Sequence, residues 1–531
     1  MSEDSLDNIV YDTVILGTGL VESIVASQIA ASAASPAKDN ADKDSSDRDS
    51  TRKVLHIDRN PYYGGTSACF SLSAFIDWAV RHRDSRQTPF VKLVLGSAQT
   101  SEHHAQKYES HVFIVGADRS DSPNTDGVGY TSQAQKLLSL IKPFYKPADD
   151  DQQQQTVPPC CDKTLEQLLV NDRRYSLELA PKLAFCRGDT IDLLIDEGVG
   201  EYVQFRGIEH NYIVRGEQLE RVPETKEDVF ASTTLGLIEK RKLMRLLSII
   251  SDDDQCQRLL EEAGDSEDFT VFLQSRFKLD GRLLDAVLFA VARVGYGQGI
   301  GAVEGCERVR KYVKAMGRYG RMAYLCAMYG GASELSQAFC RLCAVSGGTY
   351  ILDTDAHVHR DDSGLFDVHM PSYGAVKAKS VVMDPAYDPN GVVSGDGAVS
   401  RALRILDKPV LGEDTSILLC HVDAASMQTT SMLYLTHATQ AVPLGQAVVY
   451  AWSDGKLTLE KQEQLQRAMD SVCRDPTAVP LFTAFFEMNQ IVCSDPAYIG
   501  TSIPDSSVDF DGAVKHALEL SKKLEGDLVG L

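Results

Sequence analysis

The sequence predicts a mixed α/β protein that opens with a β-α-β unit and is interrupted by a smaller, all-helical domain. Three observations support this prediction. A β-prone run over 11–16 leads through a glycine turn into a helix-like segment over 20–31. Apolar residues recur at helical spacing between 222 and 320, and β-prone segments return beyond Thr349. Strands that alternate with helices in this way are typical of a fold with a parallel sheet.

Composition agrees with a globular protein and disfavours some partners. The chain has 531 residues, of which 43% are hydrophobic and 24% charged, so about two to four domains are expected. Its net charge of -22 disfavours nucleic acid and broad electrostatic binding to anionic membranes. The start is acidic and no apolar run reaches about 20 residues, so we expect neither a signal peptide nor a membrane span. The 12 cysteines are scattered, which is typical of a cytoplasmic protein with free thiols. Cys340 and Cys343 form a C-x-x-C pair, but no second pair lies nearby, so no metal site is expected.

The β-α-β unit comprises a strand over 11–16, a helix over 20–31 and a second strand over 53–58. The intervening stretch over 32–52 is rich in Ala, Ser, Asp and Lys. Such a composition buries little apolar surface, so we expect a disordered insert there. A second polar region over 97–165 predicts further disordered inserts.

The middle of the chain is predicted to be helical. Two groups of apolar residues follow the spacing i, i+3, i+4 and i+7. They are Leu243, Leu246, Leu247 and Ile250, and Val309, Tyr312, Val313 and Met316. A segment over about 283–293 is apolar on nearly all sides, which indicates burial or an apolar ligand. We therefore expect a first domain over 1–221, a helical domain over 222–318, and completion of the first domain with the C-terminal region over 319–531.

The glycine turn is a degenerate dinucleotide-binding motif. The motif G-x-G-x-x-G uses two glycines for a tight turn near the pyrophosphate and a third for helix–strand packing. Gly17 and Gly19 match it, but Glu22 replaces the third glycine, while Asp58 ends the second strand where a ribose-binding acid belongs. A carboxylate about 4 Å from a phosphate would cost on the order of 4 kcal/mol at an effective dielectric near 20. We therefore expect no flavin or nicotinamide cofactor. The simpler alternative is that the two glycines only form a turn.

Three blocks of sequence resemble the superfamily of Rab GDP-dissociation inhibitors and Rab escort proteins. That family has a flavoprotein-like fold without the flavin, and Glu in place of the third glycine is its pattern. The blocks occur in the right order and span most of residues 10–355. The first is 17–22 with 54–65; the second is Glu239-Lys240-Arg241; the third comprises 317–321, Tyr329-Gly330, Glu334, Gln337, Phe339, Arg341 and 347–351.

Within this superfamily the resemblance favours the escort branch. The chain carries polar inserts that the compact inhibitors lack, and the segment 70–78 is similar to the one that escort proteins carry after the double glycine. The divergence favours a fungal-type member. The resemblance implies a protein without catalytic activity that binds unprenylated, GDP-bound Rab GTPases. It would present them to Rab geranylgeranyl transferase, shield the attached lipid and deliver the Rab to a membrane by transient association. The alternatives are a Rab GDP-dissociation inhibitor and, from another class, a flavin-dependent oxidoreductase.

The resemblance places the Rab-binding platform at Tyr63, Glu334, Arg341 and Ile351. The residues themselves support part of this. In a helix that starts near Ser333, one apolar face is predicted; it comprises Leu335, Ala338, Phe339 and Leu342. Glu334, Gln337 and Arg341 then fall on the other face at i, i+3 and i+7, where they could offer charge and hydrogen bonds to a partner. The alternative is a solvated surface.

The resemblance also implies that the helical domain holds the isoprenoid and contacts the transferase. A geranylgeranyl chain needs aliphatic and aromatic walls. The residues predicted to form them are Leu243, Leu247, Leu284, Val287 and Leu288. The alternative is that these residues form an ordinary helical core. Escort proteins use an aromatic residue in the transferase contact; Ala286 stands at that position here, so we predict that Phe289 nearby serves instead.

Overall fold

The computed structural model describes residues 9–32, 52–82, 91–97, 109–115 and 168–529, apart from positions 217, 224, 264–266 and 474. The insert predicted over 32–52 lies almost wholly outside the described residues, as does most of the region 97–165. Within that region, however, Glu109–Val115 forms a strand that pairs antiparallel with Val91–Ser97. The prediction of disorder is therefore wrong for this segment. Its β-prone run Val112-Phe113-Ile114-Val115 gains the hydrogen bonds of a sheet ladder.

The described strands are numbered along the chain. They are β1 (Val10–Leu16), β2 (Val54–Ile57), β3 (Cys69–Phe70), β4 (Val91–Ser97), β5 (Glu109–Val115), β6 (Leu177–Glu178), β7 (Ala184–Phe185), β8 (Phe205–Gly207), β9 (His210–Arg215), β10 (Gln218–Arg221), β11 (Tyr324–Ala327), β12 (Thr349–Ile351), β13 (His357–Arg360), β14 (Phe366–Met370), β15 (Gly374–Met383), β16 (Val392–Leu406), β17 (Ser416–Asp423), β18 (Gln428–Thr436), β19 (Ala447–Asp454), β20 (Pro480–Val492) and β21 (Ile499–Gly500).

The described α-helices are numbered in the same way. They are α1 (Leu20–Ser32), α2 (Leu72–His82), α3 (Asp189–Asp196), α4 (Lys226–Ala231), α5 (Leu237–Ser251), α6 (Asp253–Ala263), α7 (Phe269–Phe277), α8 (Gly281–Asp285), α9 (Ala302–Ala315), α10 (Ala332–Val345), α11 (Leu459–Val472) and α12 (Asp511–Val529). A π-helical turn over Ala286–Val291 continues α8. Among the described residues, we find no helix with both the length and the apolar character needed to cross a membrane.

Two large sheets organise the fold. The first runs in the order β12-β2-β1-β15-β14-β13, with β21 beside β15. In it β1 pairs parallel with β2 and with β15, which confirms the predicted β-α-β start. The second runs in the order β10-β9-β17-β18-β19-β16-β20-β4-β5. The mixed α/β class predicted from the sequence is thus confirmed.

Helix α1 is a buried helix that follows the glycine turn. Its residues Ile24, Val25 and Ile29 are fully buried, because the helix packs against both α10 and α12. The segment after β2 lies beside both the glycine turn and α10. In it the Gly64 N–H donates to the Thr18 carbonyl at 3.1 Å, and Gly64 lies next to Ser333 of α10.

Helices α4 to α9 form a group with its own apolar core. This core includes the predicted Leu243, Leu246, Leu247 and Ile250. It also includes Ile213, Cys420 and Val422, which come from strands of the second sheet. The helical group thus packs directly on that sheet. The domain limits at 222 and 318 stay a prediction.

Candidate functional site

The glycine turn lies across the ends of β1 and β2. Gly17 has a φ of 99°, a conformation that favours glycine because it lacks a Cβ. Its N–H donates to the Ile57 carbonyl at 2.8 Å. Asp58 accepts hydrogen bonds from the Thr18 N–H at 2.8 Å and from the Thr18 hydroxyl at 2.6 Å. The fully buried Asp58 therefore fixes the turn itself.

The Glu22 carboxyl fills the space beside Gly19. A Cβ on Gly19 would collide with the Glu22 carboxyl, which also accepts a hydrogen bond from the Thr501 hydroxyl. Burial, helped by the nearby Asp384 carboxyl, raises the pKa of Glu22 to about 8. Burial likewise raises the pKa of Asp384 to about 6. Glu22 therefore stays protonated to a higher pH than an ordinary glutamate, and it fills the space beside Gly19 whatever its charge.

These residues do not fit a dinucleotide cofactor. The carboxyl groups of Asp384 and Asp58 both lie close enough to raise the pKa of Glu22. A helix N-terminus that binds a diphosphate must instead offer free N–H groups and room for the anion. The geometry of the motif therefore disfavours the flavin-dependent alternative.

Helix α10 presents the polar face that the sequence predicts. Glu334 is half-buried, and Gln337 and Arg341 are exposed. On the opposite face Leu335 and Phe339 are buried, because α10 packs against α1. We call Glu334, Gln337 and Arg341 the α10 surface. Burial raises the pKa of the Glu334 carboxyl, so part of its hydration is already lost.

The structure brings Tyr63 close to α10. A Cβ on the next residue, Gly64, would lie 3.3 Å from Ser333 Oγ at the start of the helix. The Tyr63 ring packs edge-on against Tyr350 of β12, with the ring centroids 6.1 Å apart. Ile351, in contrast, is only 8% exposed and belongs to the core of the first sheet. We therefore leave Ile351 out of the surface, since a partner could reach little of its side chain.

Two tyrosines near α10 were not among the predicted site residues. The Arg341 guanidinium lies over the Tyr202 ring, 4.3 Å from its centroid, in the geometry of a cation–π contact. Tyr329 precedes α10 and is half exposed, with a φ of 66°. The contact between residues 202 and 341 is tertiary, and no spacing in the sequence indicates it.

A small apolar cavity lies inside the helical group. Its volume is about 30 Å³, and three predicted lipid-binding residues, Leu243, Leu247 and Val287, line it. Ligand sites of this kind usually measure at least about 300 Å³. The cavity is therefore too small for an isoprenoid, and the surrounding helices α5 and α9 would have to separate before one could enter.

The other predicted residues of the helical group lie elsewhere. Leu284 and Leu288 are buried in its core but do not line the small cavity. Phe289 is 7% exposed, and its ring stacks on Tyr296 with the centroids 5.2 Å apart. It faces a cavity of about 470 Å³ between the helical group and the second sheet. Burial thus leaves Phe289 unsuited to direct contact with a docking protein.

Exposed apolar side chains of the helical group were also missed. Phe230 of α4, and Leu237 and Ile238 of α5, are all largely exposed. Lys240 connects the two helices by donating to the Phe230 carbonyl at 2.7 Å. Large apolar groups left in water often mark interaction surfaces. The sequence does not identify them, because their spacing does not distinguish them from the buried apolar positions of the same helices.

Comparison with known proteins connects this geometry to a family. Residues 159–529 match the family model described as GDP dissociation inhibitor. The chain is 26% identical to a Drosophila melanogaster protein named Rab proteins geranylgeranyltransferase component A, over 97% of this chain and 89% of that protein. It is 32% identical to the Rab GDP-dissociation inhibitor of Saccharomyces cerevisiae, over 45% of this chain and 54% of that protein.

The fold agrees with these relatives. A crystal structure of a Rab GDI from Plasmodium falciparum superposes with a TM-score of 0.66 at 16% identity, covering 98% of this chain and 99% of that one. The flavoprotein-like expectation for the fold is thereby confirmed, while the fungal-type assignment stays a prediction. Because the family model matches more than two thirds of this chain, the chain belongs to the GDP dissociation inhibitor family.

Proposed function

We propose that this protein is a Rab escort protein, which binds unprenylated, GDP-bound Rab GTPases and presents them to Rab geranylgeranyl transferase. The observation that carries the proposal is the α10 surface, where Glu334, Gln337 and Arg341 project from a helix whose other face is buried. Tyr63 lies at the edge of this surface and would complete the contact. The protein itself catalyses no reaction in this scheme. It works in the cytoplasm and meets membranes only when it delivers the lipidated Rab.

The escort role is favoured over the alternative, a Rab GDP-dissociation inhibitor. The similarity to component A extends over 97% of this chain, whereas the similarity to the yeast inhibitor extends over 45%. Similarity across nearly the whole chain includes the segments around the shared core. An escort protein needs such segments, because it must contact a transferase as well as the Rab.

We further propose that the small cavity of the helical group opens to take the geranylgeranyl chain. Leu243, Leu247 and Val287 already form an apolar wall without a charged group on it. Burying an isoprenoid there would release apolar surface from water, which stabilises the complex by about 25 cal/mol per Å². The exposed Phe230, Leu237 and Ile238 replace Phe289 as the proposed transferase-facing residues.

Val287→Trp is expected to weaken binding of geranylgeranylated Rab relative to unmodified Rab. A bulkier ring at this wall would fill the cavity and hinder separation of the helices, so binding of geranylgeranylated Rab should weaken by at least about tenfold. Binding of unmodified Rab should stay unchanged, since the α10 surface is untouched. Both affinities can be measured by fluorescence titration. Val271→Trp, on the exposed side of α7, is the matched control. An undiminished preference in Val287→Trp would show that the lipid binds elsewhere.

Reconstituted prenylation tests the proposed function directly. The chain is mixed with GDP-loaded Rab, Rab geranylgeranyl transferase and labelled geranylgeranyl diphosphate, and a parallel reaction omits the chain. Label on Rab that depends on the chain is the expected result. If no label appears but the chain extracts prenylated Rab from membranes, it is an inhibitor and the escort proposal is wrong.

A further inference from the structure

A buried acid lies at the start of α10 without belonging to the helix. Glu178 of β6 is 5% exposed, and its carboxylate accepts a hydrogen bond from the Ala332 N–H at 3.4 Å. The helix itself lacks a side-chain cap, because its N-cap residue is Gly331. A Cβ on Gly331 would collide with the Glu178 carboxyl. Glycine at this position thus admits the acid to the first turn of the helix.

We propose that Glu178 is a positioning residue that holds the start of α10 and couples partner binding to pH near neutrality. This inference rests on the proposed function, in which α10 carries the Rab-binding surface. A carboxylate is a suitable group for the task, since the N-terminus of a helix carries partial positive charge and unpaired N–H groups. The position of Glu334, in the first turn of α10, depends on the backbone that Glu178 holds.

The surroundings leave Glu178 as the group that titrates. Within the part of the chain that the structure describes, no ion pair to it is found. The titratable groups that face it come from three other strands: Cys69 of β3, Cys326 of β11 and Tyr450 of β19. Burial raises the pKa of each of these far above neutrality, so all three stay protonated. Glu334, the acid on α10 itself, acts electrostatically on Cys69 from the same side.

The direction of the pH effect follows from this arrangement. Burial raises the pKa of Glu178 to about 7, although the Ala332 N–H lowers it. The ionised form accepts the stronger hydrogen bond and interacts with the helix dipole. The start of α10 is therefore held more firmly above pH 7 than below it. In the unfolded chain this carboxyl has the ordinary pKa of glutamate, so the folded state binds more protons between that value and pH 7. The stability of the fold therefore falls as pH rises through this range, and the loss is complete above pH 7.

Glu178→Gln separates this role from a purely structural one. The wild type is expected to bind a GDP-loaded, unprenylated Rab about threefold more tightly at pH 8 than at pH 6. The variant should show no such step and should bind at least about threefold more weakly than the wild type at pH 8. Its urea midpoint at pH 8 should equal or exceed that of the wild type, because a buried charge has been removed. Parallel pH profiles for the two proteins would overturn the proposal.

Hydrogen exchange provides a measurement that does not depend on the Rab. The amides of 331–336 should exchange faster in Glu178→Gln than in the wild type at pH 8, and equally at pH 6. Equal exchange at both values would show that Glu178 does not hold the helix. If the wild type binds no Rab at all, the proposed function fails, while the exchange rates still decide whether Glu178 positions α10.

Discussion

Replacing Glu334 and Arg341 together by alanine is expected to weaken binding of a GDP-loaded Rab by at least about 30-fold. Glu334 is half-buried and already partly dehydrated, since burial raises the pKa of its carboxyl. Less hydration is therefore lost when a partner covers it. Arg341 is held over the Tyr202 ring, so part of its side-chain freedom is lost before binding. Both features make the two side chains effective anchors.

The fold should survive this double substitution. Both side chains project from the face of α10 that lies opposite its buried residues, and alanine favours helix. The thermal unfolding midpoint should therefore change little, while the dissociation constant rises. Calorimetric titration with Rab would measure the dissociation constant. All titrations should use the same salt concentration, because salt screens charge contacts at a surface.

A matched control is available on another helix. Glu463 and Arg467 of α11 form an exposed pair with 3.9 Å between their charged groups, and α11 packs on the second sheet, away from α10. Replacing this pair by alanine changes the charges in the same way without touching the α10 surface. Rab binding should remain at the wild-type level. If both double variants bound as tightly as the wild type, the site would have to be sought elsewhere.

Much of the fold was predictable because it depends on local patterns. The β-prone run over 11–16, the turn at Gly17 and the second strand each follow rules that involve neighbouring residues only. The polar stripe of α10 was predictable for the same reason, since helical spacing alone separates Glu334 from the buried Leu335. The strand at Glu109–Val115 was obscured by the polar residues that flank it.

Some of the missed residues depend on tertiary contacts. Glu178 and Ala332 are far apart in the chain, so nothing in the sequence joins the acid to the helix. The prediction for Phe289 followed the resemblance to escort proteins, although the segment around it is apolar on nearly all sides. The apolar character of the segment indicated burial, and Phe289 is buried in the structure. Ile351 likewise ends a β-prone run. An apolar side chain in such a strand is stabilised more by burial in the core than by a place on the surface.

Glu22→Gln is expected to reduce the fall in folding stability between pH 5 and pH 9. In the folded protein the pKa of Glu22 is raised to about 8, first by burial and then by Asp384. The unfolded chain releases the same proton near the ordinary value for glutamate, about 4.3. The folded state therefore binds more protons in this window, and its stability falls as pH rises. The loss of stability is complete above the folded pKa of Glu22.

Urea unfolding at several pH values would measure this slope. In the variant the amide oxygen can still accept the hydrogen bond from Thr501, so the packing should be kept while the titration is lost. A smaller slope should remain, because burial also raises the pKa of Asp384, to about 6, and the pKa of Glu178, to about 7, and both act in the same direction. Glu463→Gln, at an exposed position, is the control and should leave the wild-type slope unchanged.

The result bears on why the dinucleotide motif is closed in this chain. If stability at pH 9 rises in Glu22→Gln as expected, the carboxyl at this position opposes folding above neutrality. Its contribution is then to occupy the space beside Gly19, and a glutamine of the same shape should exclude a diphosphate equally well. Equal slopes in the wild type and the variant would instead mean that Glu22 is ionised in the folded state. Charge would then exclude phosphate, and the variant should gain affinity for a diphosphate such as ADP.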